Sequence, residues 1–190
     1  MAWVKSGTET LTSATTSITL TGLGSNDFYT CFCHIVSGVG NSQAELQFGN
    51  GGLEGSGYLF QQDKNGTEAS ASANTSVFKM HNTSAQQDKF YVSYIANPST
   101  EEKLFIGYLV DSNGTGNTNP NRTINFGKLA YTSNQIDQIK NQSSNLQDGT
   151  NLTALGSDGV ESMTVQDGAI FYETDTNKEY LLSNNTWTEL

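Results

Sequence analysis

The chain has 190 residues, with nineteen acidic and nine basic side chains, so its formal charge is -10 at neutral pH. Nucleic acid is excluded as an expected partner because phosphates need a basic patch, and Arg122 is the only arginine. An anionic membrane surface would also repel the chain, so proteins or neutral glycans are the expected partners.

Short apolar segments separated by turn residues run through residues 1–155. Residues 17–21 alternate strictly between polar and apolar, and residues 28–36 form the denser apolar run of a central strand. The dipeptide Asn65-Gly66 tolerates the positive φ angles of a type I′ turn and predicts a hairpin. Further strands are predicted at residues 44–48, 58–60, 77–80, 90–95, 104–110, 123–131 and 151–155. About ten short strands at this spacing predict an all-β protein, a jelly-roll-like antiparallel β-sandwich.

Residues 133–141 are the ambiguous segment of this domain. Ile136 and Ile139 are three positions apart, a spacing that suits a helical turn as well as a distorted strand. We favour a strand here, and the helical turn stays open.

The C-terminal part is predicted to be a small three-stranded β-meander at residues 167–190, after a linker at residues 156–166. Its strands are expected at residues 169–173, 179–183 and 186–189. A meander of this size cannot bury enough apolar surface to be stable alone. We therefore expect it to dock on the sandwich, on a neighbouring subunit or on the surface that it anchors to.

The cysteines of the chain, Cys31 and Cys33, lie two positions apart in a predicted strand. Their side chains point to the same face about 7 Å apart, too far for an unstrained disulfide. Together with His34 they offer too few ligands for a tetrahedral zinc site. They are predicted to be buried free thiols.

The meander resembles a module of virion proteins in tailed phages and marine viruses. The residues that carry the likeness are Tyr172, Thr174, Asp175, Tyr180 and Trp187, which match a Gly, Tyr-x-Thr-Asp-Thr, aromatic, Asn-x-x-Trp pattern. The resemblance implies assembly or docking through Tyr172, Tyr180 and Trp187.

The first 155 residues are similar to jelly-roll domains of phage structural proteins. The likeness is carried by Trp3-Val4-Lys5 with residues 11–13, and by residues 132–136 with Gly149 and Gly156. The spacing of the isoleucines after Gln135 departs from the expected alternation. The resemblance implies a homo-oligomer, with a trimer favoured, that decorates a capsid or forms part of a head fibre or tail fibre.

No catalytic motif was identified, and no cofactor is expected. A Ser-His-Asp arrangement is not excluded by sequence. The acid and base of a glycosidase would have to come from five carboxylates of the predicted strands and turns. The simpler interpretation is that these carboxylates are solvated surface residues. Those carboxylates are Glu45, Glu54, Asp63, Glu68 and Asp88.

No metal site is expected, and two weaker candidates for binding remain: a calcium loop and a pair of tyrosines for sugar stacking. Asp111, Asn113 and Asn117 place oxygen ligands at the spacing that begins a calcium loop, but the bidentate Glu of an EF-hand is missing. Tyr58 and Tyr91 are the aromatic residues that we expect to stack on sugar rings if they are exposed.

The expected function is that of a non-enzymatic structural protein of a virus particle, with capsid or fibre proteins as partners. The first residues lack the features of a signal peptide, which favours assembly in the host cytoplasm into the virion. The alternative is a host-receptor or carbohydrate-binding module that recognises a surface glycan.

Overall fold

The computed structural model describes residues 3–37, 44–81, 87–112, 119–131, 133–158, 168–173, 177–184 and 186–190. Within these ranges the chain forms β-strands joined by turns and loops, so the predicted all-β class is confirmed. The same ranges contain no helix with the length and apolar character needed to cross a membrane. The chain divides into two compact units, Met1–Gly159 and Val160–Leu190.

The first unit is a sandwich of two antiparallel sheets. The large sheet has the strand order β1-β12-β3-β8-β9-β10-β5-β6, and the small sheet has the order β2-β11-β4-β7. The strands are β1 (Val4–Thr10), β2 (Thr15–Leu20), β3 (Phe28–Ile35), β4 (Ala44–Gly49), β5 (Tyr58–Lys64), β6 (Thr67–Thr75), β7 (Phe78–His81), β8 (Lys89–Ala96), β9 (Lys103–Asp111), β10 (Asn121–Leu129), β11 (Gln138–Leu146) and β12 (Asn151–Ser157).

The strand order is that of a jelly roll enlarged by two hairpins. Without β5–β6 and β9–β10, the sheets become β1-β12-β3-β8 and β2-β11-β4-β7, so that the first strand pairs with the last. Both hairpins join the large sheet beyond β8 and double its width. The predicted turn between β5 and β6 has positive φ at both Asn65 and Gly66, as a type I′ turn requires.

An aromatic cluster joins the two sheets in the core. The ring of Phe78, on the small sheet, stacks on Phe105 of the large sheet at 4.9 Å and meets Tyr58 edge-on at 4.9 Å. Phe48 adds a third contact to Phe78 at 5.5 Å. These rings are buried, and they fix the separation of the two layers at this end of the sandwich.

Gly127 makes room for this cluster. It lies directly opposite Phe105 in the large sheet. A Cβ atom at this position would approach the Phe78 Cε1 atom to 2.4 Å and the Leu59 carbonyl oxygen to 2.7 Å. The missing side chain therefore lets the Phe78 ring lie directly against the backbone of β10.

The outer face of the small sheet is polar, as expected for a sheet with one solvated side. Its cross-strand neighbours include Thr19 beside Lys140 and Lys140 beside Gln47. Glu45 and Gln142 are also opposite each other, and the Gln142 amide donates to the Glu45 carboxylate at 3.1 Å. The outer face of the large sheet, in contrast, carries many exposed apolar side chains.

Three features of the sequence prediction are corrected in the first unit. Strand β12 continues through Ser157, so residues 156–157 are strand and not linker, because Gly156 pairs with both Val4 and Tyr29. Residues 133–137 are loop, and the strand begins at Gln138. No helical turn forms at the described positions 133–141, since Ile136 is buried from the loop and Ile139 from the strand.

Cys31 and Cys33 are buried free thiols on the inner face of β3, as predicted. Burial in an apolar environment raises the pKa of each thiol to about 12. The folded chain therefore holds both thiols in the neutral, unreactive form at neutral pH.

We expect a thiol-reactive disulfide reagent to label neither cysteine at pH 8 in the folded chain and both in guanidinium chloride. The folded pKa is above the unfolded value of about 8.5, so the unfolded chain releases these protons first as the pH rises. Unfolding titrations between pH 8 and 11 should show stability lost above about pH 8.5, by up to roughly 1.4 kcal/mol per pH unit for each thiol. A Cys31→Ala, Cys33→Ala variant should lack this contribution. Rapid labelling of the folded chain would contradict the prediction.

The second unit contains the predicted meander. Its strands are β13 (Ile170–Glu173), β14 (Lys178–Ser183) and β15 (Thr186–Glu189), which pair in sequence order. Among the residues of this unit that the structure describes, Leu182 is buried and most other side chains are exposed. That the meander needs a partner surface stays a prediction.

Candidate interaction surface on the large sheet

The outer face of the large sheet is apolar across its four central strands, β3, β8, β9 and β10. In these strands the side chains alternate between the core and the outside. Tyr91, Phe105 and Leu109 point into the core, while Tyr94, Ile106 and Tyr108 point outward. Strands β8 and β9 are thus apolar on both faces, whereas a solvated sheet is apolar on one.

The outward side chains form continuous rows across the strands. Ile106 is directly opposite Tyr94 on one side and Phe126 on the other. The next row runs from Phe32 through Val92 and Tyr108 to Ile124. Two shorter rows flank these, and they consist of Phe28, Ala96 and Leu104, and of Phe90 and Val110.

Eight large apolar side chains of this face are well exposed. Their exposed fractions run from 38% for Phe28 to 56% for Leu104. Together they present on the order of 700 Å² of accessible surface, if a full side chain of this size offers about 150–250 Å². The largest apolar patch of a typical monomer is about 300–600 Å² and is itself often functional. We call these eight residues the outer apolar face; they are Phe28, Phe90, Tyr94, Leu104, Ile106, Tyr108, Val110 and Phe126.

Polar side chains of the neighbouring strands border part of the outer apolar face on both sides. Outward positions of β12 and β1 carry Thr153 and Thr8, whose hydroxyl groups are 2.7 Å apart. On the opposite side, Gln61 is directly opposite Phe126, and Asp63 is opposite Ile124. An apolar centre within a polar rim is the usual anatomy of a protein–protein interface.

The outward positions of β3, β8, β9 and β10, all within the described ranges, carry no carboxylate. Their charged side chains are Arg122 and Lys128, both on β10 at the margin. Lys128 is paired with Glu102 at 2.8 Å, an exposed pair that contributes little to stability. In a chain of net charge -10, this face is therefore neutral to slightly basic.

A depression of about 350 Å³ lies at one end of the outer apolar face. Trp3, Phe28 and Tyr94 line it together with Leu104 and Ile106. Its walls are almost wholly apolar, so it suits the side chain of a protein partner better than a polar ligand.

Tyr58 and Tyr91 are not available for sugar stacking, and this prediction is wrong. Both side chains are fully buried in the core. The Tyr58 hydroxyl donates to the Phe48 carbonyl at 2.9 Å and accepts from the Phe48 amide at 2.7 Å. Alternation along β8 places Tyr91 inward and Tyr94 outward, and Tyr108 occupies the outward position on β9.

The calcium candidate is only partly covered by the structure. Asp111 ends β9, is buried, and accepts a hydrogen bond from the Asn121 amide at 3.0 Å. Asn113 and Asn117 lie outside the described residues. Elsewhere in the chain, as far as the structure describes it, no group of three His, Cys, Asp or Glu side chains is placed to hold a metal ion.

Of the carboxylates considered for an acid–base pair, Asp63 and Glu68 are neighbours, whereas Glu45 and Asp88 lie elsewhere in the first unit. Asp63 and Glu68 are opposite each other in the β5–β6 hairpin and line a depression of about 180 Å³. The Asp63 carboxylate accepts from the Gly66 amide at 2.7 Å, which is a turn contact. Glu45 lies on the small sheet, and Asp88 accepts from the Ser37 amide at 2.9 Å.

The docking residues predicted in the meander lie on both of its faces. Tyr180 shares one face with Phe171, which is opposite it, and Trp187 shares that face opposite Leu182. The Phe171 ring is 6.2 Å from Tyr180 and 6.1 Å from Trp187, and these rings with Glu173 line a depression of about 360 Å³. Tyr172 lies on the other face, where its hydroxyl donates to Asn177 at 2.9 Å.

A polar depression of about 450 Å³ is formed by loops at one end of the sandwich. Ser25, Asn50 and Gln135 are among the side chains that line it. Asn97 connects the loops, because its buried side-chain amide donates hydrogen bonds to backbone carbonyl oxygens of two of them. The lining includes no aromatic ring, so sugar stacking has no platform here.

No family model, curated protein or solved structure matches this chain.

Proposed function

We propose that this chain is a non-enzymatic structural protein of a virus particle, a capsid-decorating, head-fibre or tail-fibre component that is exposed on the virion. The observation that carries the proposal is the outer apolar face of the large sheet. Water contact with about 700 Å² of apolar surface is unfavourable, and burying it against protein offers a large gain in free energy. Its extent across four strands suits a protein neighbour.

The meander supports the same proposal independently. Its likeness to virion modules rests partly on Tyr172, Tyr180 and Trp187. Phe171 lies on the same exposed face as Tyr180 and Trp187. An assembly component contacts more than one neighbour, and this chain offers a second aromatic surface in its second unit. The net charge of -10 helps to keep the remaining surface soluble.

The proposal is tested on virus particles purified from cells that produce the chain. Antibodies raised against the folded chain are expected to place gold label on the particle surface in immunoelectron microscopy. Mass spectrometry of the same particles should detect the chain in many copies, because decoration and fibre proteins occur at symmetry-related positions. As a control, antibodies from an unimmunised animal should leave the particles unlabelled. A chain found only in the soluble fraction, with clean particles, would overturn the proposal.

The second candidate function is that of a host-receptor or carbohydrate-binding module of a fibre. The observation that favours it is the aromatic depression formed by Phe171, Tyr180 and Trp187 beside Glu173, because rings with an adjacent carboxylate can stack on a sugar and bond its hydroxyl groups. A chain that is absent from particles but retained on a glycan array would favour this function over the first.

A further inference from the structure

We infer that a second copy of this chain covers the outer apolar face, so that the large sheets of neighbouring copies pack against each other. This inference rests on the proposed function, because an assembly protein buries an apolar face of this kind in a permanent interface. It adds the identity of the partner and the surface through which the copies meet.

The area of the face matches that of a stable pairwise interface. Burying on the order of 700 Å² on each copy gives about 1,400 Å² in total, within the usual 1,200–2,000 Å² of specific complexes. The rows of Tyr94, Ile106 and Phe126 interdigitate with equivalent rows when two sheets pack face to face about 10 Å apart. Aromatic residues at the centre are the side chains that dominate binding energy in such interfaces.

Charge favours a copy of the same chain as the partner. Two chains of net charge -10 repel each other over most of their surfaces. The outward positions of the four central strands carry no carboxylate, and Arg122 and Lys128 lie at the margin. Two copies therefore meet without repulsion between carboxylates of these strands when these faces are turned towards each other.

β-Proteins also associate by adding a strand at a sheet edge, and the edge strands of the large sheet disfavour this. Its edge strands, β1 and β6, carry polar and charged side chains, and the pairing of each with its neighbour contains a register shift. In β1 the shift lies between Lys5 and Gly7, and Glu68 lies in β6. Charges and bulges on edge strands oppose the addition of a further strand. The edges of the large sheet therefore favour association through its face over the addition of a strand.

A glycan suits this face less well than protein does. Among the eight residues of the outer apolar face, only the hydroxyl groups of Tyr94 and Tyr108 can hydrogen-bond to a ligand. Leu104, Ile106 and Val110 would cover sugar hydroxyls without bonding them, which costs free energy for each buried polar group. The aliphatic side chains fit the apolar surface of another sheet.

The test measures the mass of the full chain in solution by light scattering after size exclusion and by analytical ultracentrifugation. A face that packs on its own equivalent closes as a two-fold dimer, so the wild-type chain is expected at twice 20.5 kDa. Added salt should not dissociate it, because apolar contacts are not screened. Ile106→Glu places a carboxylate at the centre of the face and should raise the dissociation constant at least about 100-fold, giving single chains.

Thr19→Glu is the matched control. It adds the same charge to the polar outer face of the small sheet, beside Lys140 and away from the outer apolar face, and should keep the wild-type mass. Far-UV circular dichroism and thermal unfolding establish that each variant is folded. If Ile106→Glu does not fold, Tyr94→Lys tests the same contact from the neighbouring strand.

Two results would overturn the inference: a wild-type chain that is monomeric at about 100 µM, or a folded variant at the centre of the face that keeps the wild-type mass. A monomer that nevertheless labels virus particles would overturn the inference and leave the proposed function standing. An oligomer that is sensitive to Ile106→Glu but absent from particles would support the inference and overturn the proposed function.

Discussion

Replacing Phe78 by alanine is expected to lower the free energy of unfolding by roughly 3–5 kcal/mol, because a buried phenylalanine leaves a cavity when it is truncated. Phe78 is 1% exposed and contacts the rings of Phe48, Tyr58 and Phe105. Each aromatic pair contributes about 0.5–1.5 kcal/mol beyond the buried area. Gly127 brings the backbone of β10 against the same ring, so the site has little freedom to collapse.

Equilibrium unfolding in urea measures this loss, in the Ile106→Glu background so that association does not contribute to stability. Phe126→Ala is the control, because Phe126 is 48% exposed on the outer apolar face and its truncation should cost less than about 1 kcal/mol in a single chain. A loss below about 1.5 kcal/mol for Phe78→Ala would mean that the aromatic cluster does not hold the two sheets together as described.

Replacing Asn97 by alanine is expected to cost roughly 2–4 kcal/mol, since the buried Ile136 amide loses its partner and two carbonyl oxygens lose a donor, at about 1–3 kcal/mol for a buried group left unpaired. The Asn97 side chain donates to the carbonyl oxygens of Asn26 at 2.8 Å and Ile136 at 3.2 Å, and accepts from the Ile136 amide at 2.7 Å. Asn97 itself is fully buried. One amide thus connects the β8–β9 loop to the β2–β3 and β10–β11 loops.

Urea unfolding again gives the magnitude, and hydrogen exchange of the Ile136 amide gives the location. That amide should exchange much faster in Asn97→Ala, while amides of the β8–β9 ladder change only with global stability. Asn134→Ala is the control, because Asn134 is exposed in the same group of loops. Unchanged protection at Ile136 would contradict the assigned bonds.

Most strands with apolar alternation were predictable, and the strands that were missed are polar. Strands β1 and β6 were not predicted, and β11 was recognised only at its start. The sequences of β1 and β6 contain few apolar residues because they form the two edges of the large sheet, where little surface is buried. Backbone pairing with β12 and β5 makes them strands, and hydrophobic periodicity carries no signal of that pairing.

The candidate site could not be found from periodicity alone. In β8, apolar side chains occupy both sets of alternate positions, with Tyr91 on one and Tyr94 on the other. Ser93 faces the core although it is polar, so hydropathy does not distinguish the inner face. Sugar stacking was assigned to Tyr58 and Tyr91, and the structure buries both.

By itself, the sequence determined the all-β class, the turn at Asn65-Gly66 and the free thiols, since each depends on residues adjacent or nearly adjacent in the chain. The tertiary structure alone decided which face of β8 and β9 meets the core. That choice depends on the distant strands β4, β7 and β11, which pack on one face and leave Tyr94, Ile106 and Tyr108 outside. Alternation specifies that two faces exist, and only packing between layers specifies which one is buried.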